Sequence, residues 1–214
     1  MDIFKAYYDT ADSSKAPDMA AYLKNQFAFL GLQKPQRAEL SRGFLSAKKK
    51  EKAVDWDFIF KCFELPEREF QYLAMSYLLE MKSRLEADDL SRMETLIVTK
   101  SWWDTVDMLA VIVGDIVSRH QTLKEQVISG WIVSDNLWLR RASMLFQLKY
   151  KQRTDTEFLS RAILKNCDTK EFFLNKAIGW VLREYSKTDA QWVREFLAAH
   201  KLSALSVKEA SKYI

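Results

Sequence analysis

Apolar positions along the chain recur at helical spacing, and no stretch alternates apolar and polar residues for long enough to build a sheet. The pattern predicts an amphipathic helix over residues 2–10, broken by Asp12-Ser13-Ser14. A second helix is expected from Ala16 to Phe27, with Pro17 in its first turn, where a missing N–H costs little. Pro17 through Asn25 reads as unbroken helix. Gly31 ends that segment, Pro35 opens a helix to about Ala47, and Lys48-Lys49-Lys50-Glu51-Lys52 reads as a solvated connector. From Asp55 the alternation of helix and turn becomes regular. Leu65-Pro66-Glu67 starts a helix through Met81, followed by helices near 87–98, 102–119, 122–131, 137–150, 155–166, 171–186, 189–200 and 206–213. Thr122 with Glu125, Thr154 with Glu157 and Ser206 with Glu209 have the spacing of capping boxes.

The alternation contains a repeat. Phe70, Trp103, Trp138 and Phe173 recur at intervals of 33, 35 and 35 residues. One helical pair per such period is the signature of a helical solenoid. The short units fit a HEAT-like or TPR-like array, and the small-residue pattern of the TPR is absent. The expected fold is therefore all-α: a HEAT-like helical-repeat solenoid with a concave face, forming one domain over 1–214. Composition agrees, since five Gly and three Pro in 214 residues leave few helix breakers.

The register isolates one residue. Four positions after the repeated aromatic stand Ala74, Ala142 and Ala177, but the second unit places Asp107 there, beside the indoles of Trp102 and Trp103 and ahead of the apolar run Met108 to Gly114. A carboxylate in such company needs a partner or a use. One position earlier the units carry Leu73, Val106, Arg141 and Lys176, so an arginine from the adjacent unit is expected to face Asp107. A structural Asp–Arg pair between repeats and a functional carboxylate both satisfy this pattern.

Charge adds a direction. The whole chain is +4, while residues 137–187 hold eleven Lys or Arg against five acids, or +6, interleaved with Trp138, Tyr150, Trp180 and Tyr185. A basic groove with indoles suits a phosphate backbone, although Trp138 and Phe173 read as packing. Cys62 and Cys167, far apart and without a C-x-x-C, read as small core residues, and two histidines leave no metal set. Met1-Asp2-Ile3-Phe4-Lys5 lacks a signal-type start, and no apolar run is long enough to span a membrane. The default expectation is a soluble, cytoplasmic monomer with no cofactor, metal or membrane partner.

Several longer runs carry a resemblance: Lys100-Ser101-Trp102-Trp103-Asp104-Thr105-Val106-Asp107, Asn136-Leu137-Trp138-Leu139-Arg140-Arg141-Ala142, Leu148-Lys149-Tyr150-Lys151, Lys170-Glu171-Phe172-Phe173, and Lys176 through Tyr185. With Met19 to Phe27 and Phe29-Leu30-Gly31, they make the chain resemble the AlkD-type alkylpurine DNA glycosylases over nearly its whole length. That resemblance implies a monofunctional DNA glycosylase that excises cationic alkylated purines, N3-methyladenine and N7-methylguanine, from duplex DNA without flipping the base. It assigns catalytic roles to Asp107, Trp103 and Arg141, the repeat register selecting the second residue of the Trp102-Trp103 and Arg140-Arg141 pairs. It places Trp180 and Tyr22 against DNA, and the basic segment adds Arg183, Lys149, Lys151 and Lys176 as DNA-binding residues. Arg141 is expected both to bind phosphate and to help keep Asp107 ionised. The alternative is a non-catalytic HEAT-like protein that binds damaged or branched DNA through the same groove.

Overall fold

The computed structural model describes residues 2–214, and among them every regular element is helical. Thirteen α-helices occur among the described residues: α1 (Ile3–Asp9), α2 (Ala16–Tyr22), α3 (Lys34–Lys48), α4 (Trp56–Glu64), α5 (Arg68–Met81), α6 (Leu90–Val98), α7 (Trp103–Arg119), α8 (Ser129–Ile132), α9 (Leu137–Leu145), α10 (Thr156–Leu164), α11 (Phe172–Ser186), α12 (Ala190–Ala199) and α13 (Ala204–Ala210). The chain is an all-α, helical-repeat protein. It divides into two compact units, Met1–Leu85 and Glu86–Ile214.

In the first unit, α5 forms the centre. Phe70 is fully buried and its ring meets Phe4, Tyr7 and Tyr8 of α1 at 5.2–5.7 Å. Beside it Glu69, also fully buried, accepts hydrogen bonds from the backbone N–H groups of Leu30, Gly31 and Leu32 at 3.0–3.1 Å. The carboxylate thus satisfies three loop donors that would otherwise be buried unpaired. Gly31 has φ of +87°, and a Cβ there would lie 1.9 Å from the Asp12 carbonyl oxygen, so only glycine fits.

The second unit repeats one arrangement. Helices α7, α9 and α11 follow one another in adjacent repeats and pack against α6, α8, α10 and α12. α7 buries Val106, Leu109, Ala110, Val113 and Val117, a stripe at i, i+3, i+4, i+7 and i+11 that packs on its neighbours. Close approach to the chain following α9 depends on Gly114: a Cβ there would stand 1.9 Å from the Phe146 carbonyl oxygen. Tyr150 closes the contact by donating its hydroxyl to the Gly114 carbonyl at 2.6 Å.

Several boundaries differ from the sequence reading, each for a local reason. α2 stops at Tyr22 instead of Phe27, because Lys24 and Asn25 take left-handed φ values of 59° and 56° and the Asn25 N–H turns back to Ala20. Pro17 through Asn25 is therefore not one helix. The expected helix over 137–150 ends at Leu145 and continues as turns, which brings Tyr150 to Gly114. None of the three capping boxes forms. The helix near residue 122 enters through a wide π-helical turn over Lys124–Ile128, Asp155 rather than Thr154 caps α10, and Ser203 caps α13 by accepting from the Ser206 N–H at 3.1 Å. In the lysine-rich connector, α3 reaches Lys48, whose ammonium meets Asp55 at 2.7 Å, while Lys49 meets Glu80 at 2.7 Å. Cys62 is buried, but Cys167 is partly exposed at the end of α10 and is not a core residue.

Candidate functional site

The site is assembled from the first turns of three helices in successive repeats. The turn before α7 is set by Lys100, with a left-handed φ of 46°, and by Ser101, which donates to the Ile97 carbonyl at 2.6 Å. Trp102 then runs extended, with its carbonyl accepting from Thr105 and Val106, and α7 begins at Trp103. Trp103 and Asp107, four residues apart, share one helix face. On the next repeat, Asn136 caps α9 by accepting from the N–H groups of Trp138 and Leu139 at 2.9 and 3.2 Å, and Arg141 follows one turn later. α11 begins at Phe172, which places the Phe173 carbonyl in its first turn.

These elements converge on one ion pair. Arg141 donates Nε to Asp107 Oδ1 at 2.7 Å and Nη2 to Asp107 Oδ2 at 2.8 Å, the bidentate fork that a guanidinium and a carboxylate form best. Its Nη1 donates to the Phe173 carbonyl. The side chain of Arg141 is 5% exposed and that of Asp107 15%. Burial pushes the Asp107 carboxyl above its ordinary value, and the hydrogen bonds and charge of Arg141 act in the opposite direction. Because both carboxyl oxygens accept N–H bonds, the fork holds the ionised form; a protonated oxygen would face a donor with a donor. Asp107 is thus a nearly dry carboxylate with a narrow opening to solvent, held by a guanidinium that points inward.

Of the residues named from the sequence, Asp107 and Arg141 meet as the register required. Arg140 turns away and donates to Asn166 Oδ1 at 2.6 Å, so the partner of Asp107 is Arg141. Trp102 and Trp103 separate as well: Trp102 packs its ring against Trp138 and Phe173, while Trp103 opens α7 half-buried. Trp138 and Phe173 are packing residues, their rings 5.1 Å apart. Trp180 is half-buried in the middle of α11, on the face that carries Lys176 and Arg183. Those two cations are engaged by Glu209 of α13, Lys176 at 2.9 Å and Arg183 at 2.6 Å, with Lys212 adding a third contact at 3.0 Å. Lys149 and Lys151 are exposed, Lys149 standing 3.8 Å from Glu184.

In the first unit Tyr22 is 71% exposed and edges a cavity of about 290 Å³ lined also by Asp18, Met19, Phe29, Arg37 and Tyr72. Arg37 lies over the Tyr72 ring at 4.5 Å and donates to the Leu32 carbonyl at 2.6 Å, and burial lowers its pKa.

Sequence reasoning missed two participants. The Phe173 backbone carbonyl carries no side-chain signal at all. Glu209 reads from the sequence as the partner of a Ser206 cap, whereas Ser206 is buried and donates to the Asn175 carbonyl at 2.9 Å. Among the described residues no group of three or more His, Cys, Asp or Glu side chains could hold a metal ion, and no helix is long and apolar enough to cross a membrane.

Comparison with known proteins follows the same direction. The model of the family described as "DNA alkylation repair enzyme" matches residues 3–214. Among solved structures, a "predicted DNA alkylation repair enzyme from Enterococcus faecalis" superposes with a TM-score of 0.90 at 34% identity, covering 95% of this chain and 96% of that one. A search of curated proteins finds no match. An all-α repeat fold, 34% identity across nearly the full length and a family model spanning the chain lead to one conclusion: this protein belongs to the DNA alkylation repair enzyme family.

Proposed function

We propose that the protein is a monofunctional DNA glycosylase that releases cationic alkylated purines, N3-methyladenine and N7-methylguanine, from duplex DNA, leaving the base in the stack as it acts. One observation carries this reading: a carboxylate whose two oxygens both accept from Arg141, nearly dry yet 15% exposed, on the helix face that Trp103 shares. An alkylated purine already bears a positive charge, so it departs as a neutral base with little need of a general acid. What develops in the transition state is positive charge on the deoxyribose, as in glycoside hydrolysis. A fixed anion in a water-poor setting stabilises that charge far better than solvent does, without reorganising as the bond breaks. The same carboxylate accepts a proton from the attacking water. The ring face of Trp103 favours a cationic nucleotide beside it, and Trp180 adds a second indole on the DNA-facing side.

In this reading Arg141 serves Asp107 first, since three of its N–H groups are directed to Asp107 and to the Phe173 carbonyl. Exposed Lys149 and Lys151 bind phosphate, and the exposed Tyr22 contacts DNA. The test is a duplex carrying a single N7-methylguanine, with released base followed by chromatography. Wild type is expected to release it above the spontaneous rate, and Asp107→Asn to bind the duplex without releasing base. Equal release by both proteins, or none by wild type on either N7-methylguanine or N3-methyladenine, defeats the reading in favour of a DNA-binding protein without excision.

A further inference from the structure

The residues around the Asp107–Arg141 fork hold more order than an ion pair needs. Trp102, Trp138 and Phe173 come from three successive repeats, and each ring touches the other two: 5.7 Å between Trp102 and Trp138, 4.9 Å between Trp102 and Phe173, and 5.1 Å between Trp138 and Phe173. The indole N–H of Trp102 is buried with no hydrogen-bond acceptor. An orphaned buried donor is a cost that a merely space-filling position would avoid, for instance with phenylalanine. Phe173 supplies both a ring to this cluster and the carbonyl that accepts Arg141 Nη1. Trp138 is one helical turn before Arg141 on α9, and Trp102 immediately precedes α7, which carries Asp107. The cluster therefore touches every strand of the network: the helix of the carboxylate, the helix of the guanidinium and the carbonyl that anchors the guanidinium.

We propose that the Trp102–Trp138–Phe173 cluster is the positioning element for Asp107: it holds the Phe173 carbonyl, the carbonyl fixes Arg141, and Arg141 orients the two carboxylate oxygens. None of the three rings has to touch substrate for this. The inference rests on the reading of Asp107 as the reacting carboxylate, but its consequence for the carboxylate itself is measurable without DNA. A single fork donor on each oxygen fixes the carboxylate plane only if the guanidinium cannot swing. Of the guanidinium's contacts, the one outside the pair is the Phe173 carbonyl, on a different repeat. Positioning therefore crosses from the repeat of α11 to that of α7 through one arginine.

The charged groups acting on Asp107 are Arg141 from α9, which favours the carboxylate, and Asp104 from its own helix, which opposes it. Loosening Arg141 leaves burial and Asp104 to act alone, so the carboxyl must titrate at higher pH. The experiment follows the Asp107 side-chain carboxyl by NMR in the DNA-free protein, with thermal unfolding recorded in parallel. Phe173→Leu, which removes the ring, is expected to raise the Asp107 titration midpoint by about one pH unit. Trp138→Phe keeps an aromatic contact and is expected to leave it at the wild-type position. In base release the acid limb of the pH profile moves upward by the same amount in Phe173→Leu. A folded Phe173→Leu whose Asp107 titrates as in wild type, even with a lower Tm, overturns the proposal and leaves the cluster a packing feature. If Phe173→Leu does not fold, Trp102→Leu decides on the same readout. Failure of wild type to release base would instead defeat the glycosylase reading, a separate result that the titration does not touch.

Discussion

Arg141 and Asp107, 34 residues apart in sequence, meet edge to edge with both carboxylate oxygens accepting at 2.7 and 2.8 Å. The separation is one residue short of the 35-residue interval, so the pair joins neighbouring register positions of adjacent units. A buried pair of this kind is costly to break and inexpensive to replace, because removing one partner strands the other charge in the core. Arg141→Met alone is expected to destabilise the protein by about 3 kcal/mol. Asp107→Leu combined with Arg141→Met is expected to recover most of that loss while base release stays absent. Denaturant unfolding of the three proteins, set beside the release assay, separates the structural role of the pair from its chemical one. Full activity in the double variant would exclude any chemical role.

Glu209 gives the protein an acid-sensitive joint. Hydrogen bonds from Lys176 and then Lys212 hold its carboxyl down at about 2, and the charges of both act the same way. Its folded pKa lies below the unfolded value, so the stability it contributes is present above about 4.5 and is lost as pH falls toward 2. Glu209→Gln is expected to lower stability at neutral pH and to flatten its decline across that acid window. Unfolding free energies measured from pH 7 down to 2 check this; parallel curves for variant and wild type would show that the cluster contributes nothing through linkage.

The cations proposed for DNA divide by their partners. Lys151 is exposed, whereas Arg183 is bound to Glu209 at 2.6 Å. Lys151→Ala is expected to weaken duplex binding and reduce the slope of log K against log salt by about one, the mark of one released counterion. Arg183→Ala is expected to lower the Tm more than it alters that slope. Duplex titrations at several salt concentrations discriminate the two, and an unchanged slope in Lys151→Ala would remove that residue from the phosphate track.

Gly114 controls how near α7 lies to the chain after α9. The added methyl of Gly114→Ala would press on the Phe146 carbonyl, a backbone atom that cannot rotate away. A loss of about 1–3 kcal/mol is expected from overpacking. Calorimetry reads it as a fall in Tm, and a neutral Gly114→Ala would mean the backbone gives way at no cost.

The sequence alone carried the helical character, the period of about 35 residues and the pairing of Asp107 with the second arginine of Arg140-Arg141. These are local or periodic properties. Apolar spacing reports which face each helix buries, and a repeat brings equivalent positions of neighbouring units side by side, so a contact across one period can be read before any coordinates exist. Helix ends were less legible. Lys24 and Asn25 turn left-handed at the end of α2, and neither residue type announces that conformation as glycine would. Only the tertiary structure decided three other things. It sent Arg141 inward, because the acceptor for its third N–H is a backbone carbonyl, which every residue has and no sequence pattern marks. It made Trp102 a packing residue and left Trp103 at the start of α7, one turn before Asp107 on the same helix face, although the two are adjacent and chemically identical. It also gave Lys176 and Arg183 to Glu209, since which cations remain available to a ligand depends on acids that the fold brings from 26 and 33 residues away.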